Sequence, residues 1–159
     1  MPVTAVTGIQ WGDEGKGKIV DLLAPEYDYI VRSHGGNNAG HTMIVEGRRI
    51  VTHLIPSGFA NRNATLVMGN GMVVHLPSLV QEIRALERAG FNIRPRLKIS
   101  DRAHVVLPRY IEEDKRRESD PATHIGTTQK GIGPAYSAKA LRDGVRVGDF
   151  LSGGAGAKI

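Results

Sequence analysis

The chain has 159 residues, 40% apolar and 23% charged: enough for one domain with a core, and too apolar for a disordered polymer. It contains no cysteine, so disulfides and thiolate metal sites are excluded, and no apolar run long enough to span a bilayer. Its 21 basic and 16 acidic residues leave a net charge of +5, which suits anionic small molecules; nucleic acid is the weaker reading, because only 5% of residues are aromatic and none alternates with the basic ones as a stacking platform would need.

The first ten residues, MPVTAVTGIQ, lack the basic flank and apolar core of a secretory leader, which suits a cytoplasmic protein with no membrane partner. Residues 3–6 predict a short strand, and residues 19–23 predict the apolar face of a helix. Between them lie residues 8–18, GIQWGDEGKGK. A glycine-rich turn from strand to helix presents bare N–H groups and the positive end of the helix dipole to an anion. Lys16 and Lys18 add mobile positive charge. The spacing is not that of a Walker A loop, and Ile19 stands where that pattern has a hydroxyl. Asp13 and Glu14 are unexpected here, since carboxylates repel a phosphate unless they hold a cation or move a proton.

Pro25 stops the first helix. Residues 29–32 predict a second, buried strand, followed by the glycine-rich run GGNNAGHT at residues 35–42. Residues 43–45 and 49–54 predict a hairpin turning at Glu46 and Gly47, with HLIPSG (53–58) at its end. Residues 66–68 predict a third strand closed by the glycines of GNG at 69–71. Pro77 suits the first turn of a helix carrying Leu79, Ile83 and Leu86 on one face, with Gly90 as its C′ residue. Leu97 and Ile99, then residues 105–107, predict short strands. Residues 109–119 predict a solvated helix, 120–134 a loop and 137–142 one or two helical turns. The closing SGGAGAKI is too low in complexity to complete a domain. Strand–helix alternation predicts an α/β fold: a largely parallel sheet with helices and a hairpin insert.

Two glycine-rich loops after two early strands can sit side by side at the sheet's carboxyl edge, which would bring Asp13 near His41. The carboxylate can accept a proton or ligate magnesium, the imidazole can donate to an oxygen gaining charge, and the Gly40 carbonyl is a hard donor for the same metal. Taken singly, Asp13 reads as a helix N-cap and His41 as a polar loop residue. Taken together, with the glycines and lysines around them, the functional reading is the stronger. In residues 126–144, Thr127 and Thr128 offer hydroxyls, Lys130, Lys139 and Arg142 offer charge, and Gly131 and Gly133 keep the backbone mobile. A flexible surface loop and a phosphate cradle both fit. His53, His75 and His104 read as core or edge histidines, Ser57 as turn chemistry, and no histidine spacing suggests zinc.

WGDEGKGK at residues 11–18, GGNNAGHT, HLIPSG, GNG and GTTQKGIGPAYS at residues 126–137 resemble, in order and spacing, the adenylosuccinate synthetase family. The resemblance runs from residue 3 to about residue 150. It implies a P-loop-NTPase-like fold, incomplete here, and the GTP-dependent joining of IMP to L-aspartate, a step towards AMP. Family members are much longer, so residues 1–150 correspond to the N-terminal part of the GTP- and IMP-binding domain, with 151–159 an unmatched tail and an apolar sheet edge left open. By resemblance, Asp13 is the base that takes the N1 proton of IMP, and with the Gly40 carbonyl a magnesium ligand; His41 is the donor to the phosphoryl group in flight. The GTP site comprises Gly12, Asp13, Glu14, Gly15, Lys16, Gly17 and Lys18 with Gly40, His41 and Thr42. The IMP site comprises Asp13, Glu14, Gly15 and Lys16 with Asn38, Ala39, Gly40, His41, Thr128 and Arg142, the last reaching from a neighbouring subunit of a homodimer. Some viral relatives that aminate a guanine nucleotide lack the aspartate, so its presence favours IMP. His34, the Gln129-Lys130 pair and Asp143 depart from common family residues without removing a catalytic group. A nucleotide-binding fragment without catalysis is the alternative, and a basic nucleic-acid-binding fragment the third reading.

Overall fold

The computed structural model describes residues 2–10, 12 and 14–157; Asp13 therefore lies outside the described residues. After the glycine-rich loop comes helix α1 (Lys16–Leu23), then strand β1 (Tyr29–Gly35), the hairpin β2 (His41–Val45) and β3 (Arg48–Thr52), and the long strand β4 (Thr65–Val74). Helix α2 (Leu76–Arg88), strands β5 (Leu97–Ile99) and β6 (His104–Val105), and helices α3 (Pro108–Ser119), α4 (Ile132–Leu141) and α5 (Val147–Leu151) follow. Strand β4 is the axis of the sheet. It pairs in parallel with β1 on one side and with β5, then β6, on the other. The antiparallel hairpin forms its own two-stranded sheet, turning at Glu46 (φ 49°) and Gly47 (φ 73°). The expected α/β architecture with a largely parallel sheet and a hairpin insert is observed.

Successive residues of a strand face opposite sides, and β4 uses this to serve two cores. Leu66, Met68, Met72 and Val74 pack with Leu54, Ile55, Phe59, Phe91 and Ile93, all fully or almost fully buried. Val73 faces the other way, into a cluster with Val105, Val106, Tyr110, Ala135 and Val145 beneath α3 and α4. Among the described residues no helix is long and apolar enough to cross a membrane.

Several expectations need correction. Residues 3–6 form no strand: Val3 is 94% exposed, and a four-residue run that buries so little does not repay the ordering of its backbone. Strand β1 is buried on one face only, with Tyr29 and Val31 exposed. GNG does not close the third strand. β4 runs through it because the pairing with β1 shifts register between Arg32 and His34, bringing the Ser33 backbone against the glycines. A Cβ at Gly71 would lie 2.4 Å from the Ser33 carbonyl oxygen, so glycine here is a requirement of close approach. Helix α3 is not solvated all round: Tyr110, Asp114 and Glu118, one turn apart, are buried. Helix α4 starts at Ile132, earlier than expected, because Gly133 and Pro134 fall in its first turn, where a missing N–H costs nothing. Its N-cap Gly131 (φ 72°) is glycine for close approach rather than for flexibility: a Cβ there would be 2.8 Å from the backbone of Tyr110 and Ile111. In the tail, residues 154–157 form a 3-10 turn, and Ala155 is buried against the second core.

Candidate nucleotide site

The first glycine-rich loop ends in α1 through Gly15, whose φ of 85° is open to glycine and costly for other residues. The N-cap Gly15 has no side chain to cap this helix; Lys18 N donates back to Gly15 O at 2.9 Å, and among the described residues the Lys16 and Gly17 N–H groups have no hydrogen-bond acceptor. The second loop leaves the carboxyl end of β1 and returns at His41, the first residue of β2. The two meet at Gly17. A Cβ there would be 3.0 Å from His41 Cβ and Nδ1 and 3.0 Å from Ser57 Oγ, so the absent side chain is what lets the imidazole sit on the first turn of α1. His41 is half-buried, and its pKa is lowered, first by burial and then by the positive charges of Arg32, His53 and Lys16. A neutral imidazole at pH 7 with cations beside it is a hydrogen-bond donor in an anion-attracting field.

Each loop is held differently. In the first, the Glu14 carboxylate accepts from Gln10 N at 3.2 Å and Gly12 N at 3.3 Å and pairs with Lys16 Nζ. The Lys16 hydrogen bond, followed by those of the loop backbone, holds Glu14 down at a pKa of about 2. The second loop is braced from outside. Arg32 donates to Gly36 O at 2.9 Å and also to the carbonyls of His34 and His53. His53 Nδ1 donates to Ala39 O at 2.9 Å, and Lys130 Nζ donates to Asn37 O at 2.8 Å. Tyr136 accepts from Gly35 N and donates to Gly71 O, both at 2.8 Å, joining the β1 and β4 ends to α4. Behind the brace, Glu82 of α2 accepts from the N–H groups of His53, Leu54 and Ile55 at 2.9 to 3.2 Å; burial nonetheless pushes its pKa up.

The structure thus brings together Gly15, Lys16, Gly17 and His41, with Lys18 exposed on α1 and Thr42 half-buried beside His41. Asn38, Ala39 and Gly40 lie exposed on the crest of the second loop. Lys130 links that loop to the segment carrying Thr128, which is exposed. Arg142 is exposed at the C-cap of α4 with φ 65°, and its side chain makes no hydrogen bond or ion pair among the described residues.

No group of three or more metal-ligating side chains occurs among the described residues. A magnesium ion bound mainly by phosphate oxygens and water needs only one or two protein oxygens, so a single loop carbonyl such as that of Gly40 fits such an ion. Sequence reading passed over Arg32, Glu82 and Tyr136. Two of them carried a signal: an arginine inside an apolar strand, and a glutamate on the apolar face marked by Leu79, Ile83 and Leu86.

The chain is similar to known proteins along almost its whole length. A family model described as adenylosuccinate synthetase matches residues 5–157. Adenylosuccinate synthetase of Phaeodactylum tricornutum is 54% identical over 149 residues, covering 93% of this chain and 28% of that protein. The chloroplastic adenylosuccinate synthetase of Arabidopsis thaliana is 53% identical over 150 residues, covering 93% and 31%. The fully ligated adenylosuccinate synthetase of Plasmodium falciparum superposes with a TM-score of 0.81 at 44% identity, over 89% of this chain and 33% of that one. The succinoaminodeoxyadenylate synthetase of cyanophage S-2L, bound to dGMP and dATP as an energy donor, superposes with a TM-score of 0.72 at 27% identity, over 90% and 40%. The chain spans about a third of the length of the relatives it matches.

Proposed function

The chain belongs to the adenylosuccinate synthetase family, and from that premise we propose that it supplies the phosphate-handling part of a ligase that joins IMP to L-aspartate at the expense of GTP. The observation that carries the reading is the His41 imidazole packed on Gly17 in the first turn of α1, with Lys16 beside it. A triphosphate laid across that turn meets the N–H groups of Lys16 and Gly17, a lysine and a neutral imidazole donor at one point.

The chemistry demands such a place. O6 of neutral IMP is a poor nucleophile. When Asp13 takes the N1 proton, negative charge moves to O6, which attacks the γ-phosphorus. The bond to the bridging oxygen breaks and GDP leaves, its charge and that of the moving phosphoryl group met by donors such as His41. The amine of aspartate then attacks C6, and phosphate departs. Magnesium, held on the protein side by Asp13 and Gly40, neutralises charge on the phosphate oxygens when bound. Gly12 through Lys18 with Gly40, His41 and Thr42 take the GTP phosphates. Glu14, Asn38, Ala39, Thr128 and, from the second subunit of a homodimer, Arg142 take IMP. Residues 1–150 are the N-terminal part of the nucleotide-binding domain. Some relatives carry the word chloroplastic in their names.

The test uses a protein of the relatives' full span that contains these 159 residues. Release of phosphate from GTP should require both IMP and aspartate, and Asp13→Asn should abolish it; near-normal turnover would remove Asp13 from the role of base. A second reading is motivated by the chain's share of its relatives' length: alone, it binds nucleotide without turning it over. Binding without phosphate release by the 159-residue chain would support that reading.

A further inference from the structure

The buried face of α3 carries something that the nucleotide reading has not used. Asp114 and Glu118 are 4% and 8% exposed, one helical turn apart, and among the described residues Asp114 has no cationic partner. Burying a carboxylate is costly unless hydrogen bonds satisfy it. All the donors that do so here come from one loop. Asp114 accepts from Thr127 Oγ1 at 2.9 Å through one oxygen and from Gly131 N at 2.8 Å through the other. Glu118 accepts from Ile125 N at 3.0 Å and Gly126 N at 3.1 Å, and His124 Nε2 lies 3.5 Å away. Thr127 Oγ1 in turn accepts from Gln129 N at 3.2 Å. Most of this loop is exposed, so apolar packing does not set its shape; the two carboxylates do.

We infer that Asp114 and Glu118 are positioning residues that fold the 124–131 loop into a receptor for the phosphate monoester of the nucleotide substrate, spending the Thr127 hydroxyl inward so that Thr128 faces outward. The inference rests on the reading of Thr128 as a phosphate ligand. It divides the labour between two adjacent threonines: Thr127 is a strut, and Thr128 meets the ligand. It also explains why a helix otherwise covered with solvated charges buries two acids. The N–H groups of the loop, Ile125 first, hold the Glu118 carboxyl below its ordinary range, so Glu118 stays charged and accepting at neutral pH.

The experiment compares four proteins: the 159-residue chain, Thr128→Ala, Asp114→Asn and Glu118→Gln. IMP is titrated calorimetrically, and amide exchange at Gly126 and Gly131 is followed without ligand. A carboxamide keeps one acceptor oxygen and presents an NH2 group to the other donor. The receptive shape is then populated less, and each carboxamide variant should raise the Kd for IMP about tenfold, by the rule that apparent affinity scales with the competent fraction. Exchange should speed up at the glycine facing the altered group. Thr128→Ala should weaken IMP binding as much while leaving both amides unchanged. Normal IMP binding by the carboxamide variants beside a weakened Thr128→Ala overturns the positioning role and leaves the Thr128 reading standing. So does weakened binding with unaltered amide exchange. Normal binding by Thr128→Ala, or no binding by the unaltered chain, overturns the Thr128 reading and this inference with it. Should Asp114→Asn fail to fold, Glu118→Gln decides by the same outcomes.

Discussion

The two glycine-rich loops at the site are built on opposite plans. The first, before α1, is organised by its own side chains: Glu14 gathers Gln10 N, Gly12 N and Lys16, all in the same short stretch. The second, between β1 and β2, is held by residues from four other places: Arg32 within β1, His53 after β3, Lys130 before α4 and Tyr136 on α4. A self-organised loop can change its hydrogen bonds without disturbing the core. An anion that takes the Gln10 and Gly12 N–H groups has only to displace one carboxylate, that of Glu14. A braced loop has less freedom, because the carbonyls of Gly36, Asn37 and Ala39 are each tied to a different side chain, and the loop runs straight into His41 at the start of β2. Preorganisation of this kind is what a transition-state donor needs, whereas the loop that accepts the ligand first can adapt.

The contrast is broken most severely at Arg32. Arg32→Ala removes donors from the carbonyls of His34, Gly36 and His53 and leaves Glu82 without its nearby cation. Urea unfolding should record a loss of about 3 kcal/mol, the scale expected when charged, partly buried hydrogen bonds are left unmade. A loss within error of zero would mean that the brace carries no stability.

Next comes Gly71→Ala. Its Cβ would be 2.4 Å from the Ser33 carbonyl oxygen, a contact with backbone that cannot rotate away. Separating β1 from β4 at this point should cost about 2 kcal/mol, in the range measured for overpacked cores, and should loosen the start of the second loop. The same substitution at Gly133, where a Cβ meets nothing within 4 Å, is the control and should leave the urea midpoint almost unchanged.

Acid separates the two plans more gently. His41, His75 and His104 all have pKa values lowered from 6.5, burial being the first cause in each. Unfolded imidazoles take up protons from about pH 6.5 downwards, while the folded ones resist until lower pH. The unfolded state therefore binds more protons in that window, and stability, fully present above 6.5, falls as the pH drops through the folded values. Glu82 acts in the opposite sense: burial raises its pKa above 4.5, so its contribution is present below 4.5 and is lost as the pH rises through its folded value. Glu14, held at about 2, does not titrate between pH 7 and 5. Unfolding midpoints should fall over that interval, with amide exchange rising in the braced loop before it changes at Gln10 and Gly12. A flat stability profile would contradict the burial of the three imidazoles.

The smallest effect is expected at Glu14→Gln. The side chain belongs to an exposed loop, and the urea midpoint should not move. Exchange at the Gln10 and Gly12 amides should speed up alone. A shift in the midpoint would show that the first loop, too, is tied to the core.

Much of this was legible in the letters. The hairpin was announced by Glu46-Gly47 between β-prone runs, α2 by Pro77, its apolar face and Gly90, and the adjacency of the two loops by glycine-rich runs after early strands. What failed did so because strands are non-local. Nothing in VTAV says that Val3 stays exposed, and nothing in GNG says that Ser33 bulges towards it from another strand. Buried charges were also misread. Asp114 and Glu118 look like surface acids in a charged helix, and only their spacing from Tyr110 hints that they turn inward. Glu82 and Arg32 act on loops distant in sequence, so their partners could not be named in advance.

The central claim is that the two loops form one phosphate seat meeting at Gly17 and His41. It is tested most directly by titrating the chain with GTP and magnesium while following, by NMR, the Gly15 and Gly17 amides and the His41 ring. The account predicts that all of these resonances shift together with a single midpoint, and that Gly17→Ala, which presses a methyl group on the imidazole, removes the shift from both loops. Movement of the Gly15 and Gly17 amides with the His41 ring unaffected, or with a separate midpoint, would contradict it.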